Sequence, residues 1–524
     1  MRRTSFAAVL AAAAAFAPTA VAASPPPPPM LLPGDASAAT ADADPATWLL
    51  GAPAGTEVPG AREIVPGSYI VPRERARAVA RALGGRLTYA EPNVYRAFHQ
   101  RAVPDDPLTP FSRWRDAVID PSLTPPPVAR NGPLLGVIDA KAQVTHPEFS
   151  GGNVTTLQGR AVAISHGTQT IGVAVAPQNG VGIVGAYPGA RAVNVSLPAN
   201  RIACSDSAKG IRRAVKAGAD VLNMSYGSLR FCQSEYQALQ FATYKGVTLV
   251  AASGNERLDG NPFEFPGSLP HVLTIGALQP NDRAAPFSNT SGALDLVAPG
   301  VGIVAPLPAG LDNQDGTQDG YEVVSGTSFA APIVAAAAVW LRTARKQLSV
   351  DQVAQVLRLS STDIFRKGYD TETGYGKLDM GAALAKKAPP RDPLEPNDDI
   401  PFVTGRAFGP PAKAIFTGKG NRKLTALLDR FEDPADVYRI KVPGNSSARV
   451  QVNPDFGNPD LEVYAAGTRS LGSDGGLLAA SRRPGGKTDQ VRLRNGAGGA
   501  RTALVTVYAA RGRVLDSRYA LSIK

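Results

Sequence analysis

Phe329 to Leu341 is the longest apolar run beyond the N-terminal region, and it is too short to span a bilayer. It forms the body of an Ala-rich helix expected from Ala330 to about Arg345, which folding must bury. Immediately before it stands Val324-Ser-Gly-Thr-Ser-Phe-Ala-Ala-Pro332, a glycine turn followed by a serine in the first helical turn. Free backbone N–H groups point outward there, and Pro332 is tolerated so early in a helix. Two readings fit: Ser328 is a simple cap residue on a buried helix, or it is a nucleophile. A serine hydroxyl attacks well only with a neighbouring base and donors for the oxyanion it creates. The second reading therefore requires partners elsewhere in the chain.

From Leu134 to about residue 388 strands and helices alternate, the signature of a parallel sheet covered on both faces. Buried strands are expected at Leu134–Ile138, Ala192–Val195, Val221–Met224, Val247–Ala251 and Val272–Ile275. Helices are expected around Ile211, Ala214 and Val215, and from Tyr236 to Tyr244. The fold class is thus α/β, with a doubly wound, mainly parallel sheet. In such sheets ligands sit beyond the carboxyl ends of the strands. Asp139, Ser225 and Asn255 all fall at or just after such ends.

Domain count follows from length, since 524 residues exceed one core. Arg2 and Arg3 precede an apolar stretch and Ala20-Val21-Ala22 offers small residues for cleavage, so 1–23 reads as a secretory signal peptide. An Arg-Arg pair also allows a twin-arginine route. Residues 24–60 are rich in Pro, Ala and Gly without a hydrophobic period and read as a disordered leader. A strand at Tyr69-Ile70-Val71, a helix with Ala76, Val79, Ala80 and Leu83 on one face, and a strand around 87–90 make 61–101 a small α+β unit. Beyond Pro389-Pro390 the period changes to strict alternation, as in Tyr438, Ile440, Val442 and in Tyr519, Leu521, Ile523. Residues 389–524 therefore read as a β-sandwich following the α/β domain, whose bounds are taken as 102–388.

The 55 Lys plus Arg against 44 Asp plus Glu leave a formal charge of +11. No nucleic-acid motif or long basic run accompanies it, so the excess is read as solubility and nucleic acid is not expected as a partner. Cys204 and Cys232 are the two cysteines. In an oxidising compartment such a pair reads as a disulfide rather than a metal site, which would need further ligands.

Three segments supply what Ser328 lacks: Gly136-Val-Ile-Asp139, Ser165-His-Gly-Thr168 and Ala251-Ala-Ser-Gly-Asn-Glu256. With Asn223-Met-Ser-Tyr-Gly227, Leu296-Val-Ala-Pro-Gly300 and the Gly326 segment, they occur in the order found in the subtilisin-like serine peptidase family, which the chain resembles over about 100–388. The resemblance implies a secreted serine endopeptidase that forms an acyl-enzyme without cofactor or catalytic metal. His166 would be general base, Asp139 its partner, and Asn255 an oxyanion donor. Substrates would be proteins or peptides, and the molecule a monomer; structural calcium is left unassigned. Ser225-Tyr226-Gly227 and Ala252-Ser253-Gly254 would wall the primary specificity pocket. In Phe265-Pro-Gly-Ser-Leu-Pro-His-Val272 the resemblance puts the preceding residue, Glu264, at the pocket floor, where its carboxylate would favour Lys or Arg. The alternatives are that Glu264 faces solvent or pairs with Arg257.

The resemblance extends to the flanks. Residues 61–101, with Glu91-Pro92-Asn93, look like the family's inhibitory propeptide. Arg101-Ala102 would be the self-cleavage point, and the propeptide would act as an inhibitory partner. The tail, with Leu394-Glu-Pro-Asn397 and Asp433-Pro-Ala-Asp436, resembles the bacterial pre-peptidase C-terminal domain. His146, in Thr-His-Pro-Glu-Phe149, resembles the family's structural His-Pro turn, while His99 and His271 have no partner motif. Two departures stand out: Ala140 and Lys141 replace the usual hydroxyl-bearing residue after the aspartate, and Gln169 replaces a histidine. A non-enzymatic exported homologue acting as a binding protein is the competing reading. The related serine-carboxyl peptidases are disfavoured, because they carry glutamate where this chain has His166.

Overall fold

The computed structural model describes residues 32–33, 43–53, 55–65, 68–94, 108, 113–157, 161–199, 202–312, 318–392, 394–405, 409–429, 432–468, 471, 476–509 and 516–524. The chain forms two compact units, Met1–Gln100 and Arg101–Lys524. The expected signal peptide, His99, Arg101 and Ala102 lie outside the described residues.

The first unit contains β1 (Ala43–Gly51), β2 (Arg62–Val65), β3 (Ser68–Pro72), α1 (Arg73–Leu83) and β4 (Tyr89–Val94). The sheet order is β2-β3-β1-β4, with β1 antiparallel to both neighbours. α1 buries Ala76, Val79, Ala80 and Leu83, the four residues its periodicity singled out, against Trp48, Leu50, Tyr69, Val71 and Ala90. The reading of 24–60 as a leader without structure is corrected here, because β1 lies inside that range and occupies a central place in the sheet. Trp48 and Leu50 alternate inward and are 1% and 0% exposed. Their period is hard to see because Pro- and Ala-rich sequence surrounds so short a strand. Pro92 sits in edge strand β4, where a missing N–H is tolerated.

The second unit is built on a seven-stranded sheet of β5 (Leu135–Asp139), β6 (Val154–Thr156), β7 (Ala192–Ser196), β8 (Val221–Met224), β9 (Thr248–Ala252), β10 (Val272–Leu278) and β11 (Leu296–Pro299). Its order is β11-β10-β9-β8-β5-β7-β6 and every pairing is parallel. Successive side chains of a strand point to opposite faces. Leu135 and Val137 of β5 accordingly join the core containing α2 (His166–Val175) and α5 (Thr327–Ala344), while Ile138 joins that of α3 (Cys204–Lys216) and α4 (Gln233–Tyr244). The sheet is doubly wound, as expected. From β5 the chain turns first to β6 and β7 on one side and then to β8 on the other, so the switch point lies at the end of β5.

α5 is long and apolar enough to cross a membrane, yet most of it is buried inside the protein core, where it contacts β8 through β11. A hairpin of β12 (Ile303–Pro306) and β13 (Tyr321–Val324) leads into it. α6 (Val350–Ser360) and α7 (Met380–Ala385) complete that layer, and α8 (Ile400–Thr404) follows.

The C-terminal region is two four-stranded antiparallel sheets that fit a β-sandwich. The strands are β14 (Arg422–Asp429), β15 (Ala435–Val442), β16 (Ser446–Phe456), β17 (Pro459–Ala465), β18 (Leu477–Ser481), β19 (Asp489–Asn495), β20 (Arg501–Ala509) and β21 (Asp516–Ile523). The orders are β14-β21-β16-β19 and β15-β20-β17-β18. Tyr438, Ile440, Val450, Val452, Val505, Val507, Tyr519, Leu521 and Ile523 fill the space between them. The sandwich meets α6 through Arg358, which pairs with Asp429 of β14, lies 3.1 Å from Asp295 and donates to Tyr375 Oη at 3.1 Å. His271, just before β10, lies 2.6 Å from Asp398.

Candidate active site

β5 ends at Asp139 and α2 begins at His166, so the switch point brings a carboxylate and an imidazole together. His166 Nδ1 bonds Asp139 Oδ1 at 2.8 Å and Oδ2 at 3.0 Å. The carboxylate is 4% exposed, and it also accepts from the Ala140 N–H at 2.6 Å and the Thr170 hydroxyl at 3.0 Å. Thr170 lies one turn beyond His166 on α2. It supplies the hydroxyl that Ala140 and Lys141 do not, and sequence reading missed it. Burial alone would lower the His166 pKa, but the charge of Asp139 and its hydrogen bond prevail and raise it. The second nitrogen of a ring held this way is left to accept a proton from another group.

Ser328 stands in the first turn of α5, after Gly326 at φ 154°, a conformation that favours glycine. The next side chain, Phe329, packs 5.7 Å from the His166 ring, which sets the start of α5 beside the imidazole. In this conformation the Ser328 hydroxyl donates to the Ser225 carbonyl at 3.2 Å. The Ser225 hydroxyl donates back to the Ser328 carbonyl at 2.8 Å and accepts from Asn223 Nδ2 at 3.0 Å. The end of β8 is thereby tied to the serine turn.

Asn255, just after β9, accepts at Oδ1 from both the Thr327 N–H and the Thr327 hydroxyl, each at 3.0 Å. With its carbonyl so engaged, the side-chain NH₂ is the group of this amide that remains to donate. Thr327 is a second residue that sequence reading passed over, although it adjoins the serine.

The expected pocket residues converge. A Cβ on Gly227 would lie 2.1 Å from Glu264 Oε2, and one on Gly254 would lie 2.8 Å from Glu264 Cδ and 2.9 Å from Glu256 Oε2. The Glu264 side chain is therefore packed between the two wall segments. Ser228 and Phe265 exchange backbone hydrogen bonds at 2.8 Å, which fixes that geometry. Tyr226 turns its ring away from the pocket and bonds Ser207 on α3 at 2.7 Å, so it contributes backbone to the wall. Ser253 donates to the Asn289 carbonyl at 3.3 Å and Ala252 closes β9. Both alternatives for Glu264 are overturned: it is 9% exposed, and the Arg257 guanidinium forks onto Glu372 at 2.8 and 2.6 Å. Glu256 is the unforeseen partner. Burial, followed by its hydrogen bond to Glu256, pushes the Glu264 carboxyl up to about 8.

The Cys204–Cys232 disulfide is present, with Cα atoms 6.1 Å apart, and joins the start of α3 to the cap of α4. Closing a loop of this length stabilises by about 3–4 kcal/mol in the chain-entropy picture. His146 is remote from this constellation in role: its ring is 3% exposed, accepts from the Glu148 N–H at 3.1 Å and stacks edge-on with Tyr321. Gln169 donates to Glu322 at 2.8 Å. Among the described residues, two sets of side chains outside the constellation have ligand atoms close enough for a metal ion, His271 with Glu395 and Asp398, and Asp392 with Glu395 and Asp436. Neither touches Asp139, His166 or Ser328.

The subtilase family profile matches residues 130–376. Subtilisin DY from Bacillus licheniformis is 31% identical over 48% of this chain and 89% of its own length. The chain belongs to the subtilase family. Fervidolysin from Fervidobacterium pennivorans is 29% identical over 64% of this subtilase and 50% of its own length. Alkaline elastase YaB from a Bacillus strain is 33% identical over 42% of the chain and 54% of its length, so this subtilase spans about half of either relative. The crystal structure of fervidolysin covers 86% of both chains with a TM-score of 0.51 at 17% identity, a likeness of fold.

Proposed function

We propose that this subtilase is an exported serine endopeptidase that hydrolyses proteins through an acyl-enzyme on Ser328. The observation that carries the reading is the Asp139–His166 pair held at Nδ1, with Ser328 beginning a helix beside the ring. His166 Nε2 takes the Ser328 proton during attack on the scissile carbonyl and returns it to the leaving amine. Asp139 keeps the ring in the required tautomer and stabilises its cation. The tetrahedral oxyanion accepts from Asn255 Nδ2 and from the Ser328 backbone N–H at the positive end of α5. Water then releases the acyl group by the same steps in reverse roles. The hydroxyl bond to Ser225 in the free enzyme gives way to one with the imidazole once substrate fills the site, since such bonds often tighten only in the complex. Because His166 acts in its neutral form and its pKa is raised, activity is lost on acidification at a higher pH than for a free imidazole.

The N-terminal unit is read as an inhibitory propeptide removed by self-cleavage after Arg101, and it includes β1 as well as the residues from 61 on. The catalytic domain then runs from 102 to 388 and the sandwich from 389 to 524. Export rests on the signal-like N-terminus and the disulfide. Ser328→Ala tests the whole scheme: the full precursor should accumulate and casein hydrolysis should vanish. A variant that still matures and cleaves casein at the wild-type rate would show the assignment to be wrong.

A further inference from the structure

Among the described residues, no cation pairs with the two carboxyl groups placed at the base of the specificity pocket. Glu264 reaches up between Gly227 and Gly254, and the Glu256 carboxylate meets it from the turn after β9. Glu256 is held in place by the Asn255 N–H at 2.7 Å and Asn289 Nδ2 at 3.3 Å. Arg257, the basic residue next in sequence, is committed to Glu372. The other titratable group on the facing wall, Tyr226, is turned into the α3 layer. Burial comes first, and Glu256 second, in raising the Glu264 carboxyl. A buried carboxyl pair without a counter-ion is costly unless a proton or an incoming cation neutralises it.

We propose that Glu264 and Glu256 act together as the specificity-determining floor of the pocket, and that the side chain they select before the scissile bond is Lys or Arg. This rests on Ser328 being the nucleophile. Gly227 and Gly254 set no side chain of their own beside the Glu264 carboxyl, so a guanidinium that reaches it finds carboxylate oxygens from two residues. Phe or Leu at the same place would leave the pair with only its proton for neutralisation and would offer its carboxylate oxygens no donor. The pair also links selectivity to pH. At neutral pH one proton is shared and Glu264 holds it, because its pKa lies near 8. Binding of a basic side chain expels that proton, so preference for Arg over Leu should rise with pH and level off above about 8. Titration of His166 cancels in that ratio.

The test is kcat/KM for peptides differing only in Arg, Lys, Gln, Leu or Phe before the cleaved bond. The mature enzyme would be compared with Glu264→Gln and Glu256→Gln, with active sites counted by a fluorophosphonate and folding checked by thermal melting. Arg and Lys should exceed Leu and Phe by at least about a hundredfold in the wild type. Each substitution should cut the ratio at least about tenfold and flatten its rise with pH. Benzamidine binding by calorimetry reads the pocket without turnover and should weaken by about tenfold or more in Glu264→Gln. A wild type that prefers Leu or Phe overturns the proposal, as does an Arg-to-Leu ratio unchanged in both variants. Failure of the fluorophosphonate to label Ser328 counts against the nucleophile instead, and benzamidine binding then decides the pocket by itself.

Discussion

Thr170 donates its hydroxyl to Asp139 Oδ2 at 3.0 Å, from the helix that also carries His166. One short element thus presents the imidazole and steadies the carboxylate that orients it. The absence of a hydroxyl at Ala140 and Lys141 leaves the aspartate with its full set of donors all the same.

Removing this hydroxyl should therefore impair catalysis. A hydrogen bond to a charged group contributes about 1.5–3 kcal/mol, so Thr170→Val should lower kcat/KM roughly tenfold to a hundredfold. Thr170→Ser should restore most of it. A merely structural role would leave the acidic limb of the pH–rate profile in place. A positioning role shifts that limb, because a less well-held Asp139 supports the His166 cation less.

Asn255 and Thr327 should behave as one unit. Asn255→Ala is expected to reduce kcat by about a hundredfold to a thousandfold with little change in KM. Thr327→Val removes one of the two bonds holding the Asn255 carbonyl and should cost less. In an Asn255→Ala background it should cost almost nothing, since its effect travels through the amide. Additive losses in the double variant would show that Thr327 acts independently.

What the sequence made legible divides along physical lines. Buried parallel strands read as continuous apolar runs, so β5, β7, β8, β9 and β10 and the residues at their ends were visible, as was the alternation of the sandwich core. The strand β1 was not, because Trp48 and Leu50 alone declare its period amid Pro- and Ala-rich sequence. At the site, Asp139, His166, Asn255 and Ser328 were marked by the segments around them. Thr170, Thr327 and Glu256 were not singled out, because a side chain that orients another has no signature beyond proximity. The Glu256–Glu264 contact joins the turn after β9 to a loop held by the Ser228–Phe265 bridge, a meeting that only the folded backbone creates.

Arg358 should be the most sensitive residue at the junction with the sandwich. Its guanidinium is 8% exposed, serves Asp295 and Asp429, and lies over the Tyr375 ring at 4.6 Å. Arg358→Met leaves two buried acids without their cation, a loss of about 3–5 kcal/mol. Lysine cannot reach several partners at once and should rescue little. Guanidinium denaturation in a Ser328→Ala background, which prevents autolysis, gives the value directly. A loss below about 1 kcal/mol would mean that the junction does not depend on this residue.

The same junction should make stability fall as pH rises. Burial pushes Asp392 up to about 6, Asp295 and Asp516 to about 7 and Asp436 to about 8, and it drives Glu395, Glu432 and Asp433 well above the usual range. A carboxyl whose folded pKa exceeds its unfolded value binds more protons in the native state. Its contribution is present in full below about pH 4 and is lost progressively as pH climbs through the folded value. Between pH 5 and 8, measured in chelator so that no cation neutralises the carboxylates, the Ser328→Ala protein should therefore become steadily less stable. Glu395→Gln mimics the protonated form of a buried carboxyl that stands beside Asp392, Asp398 and Asp436. It should remove about one proton's worth of that dependence, near 1.4 kcal/mol per pH unit, and raise stability at pH 8 relative to the parent. Equal slopes for the two proteins, or a parent that gains stability toward pH 8, would show that these carboxyls titrate normally and that the charge at the junction is compensated in another way.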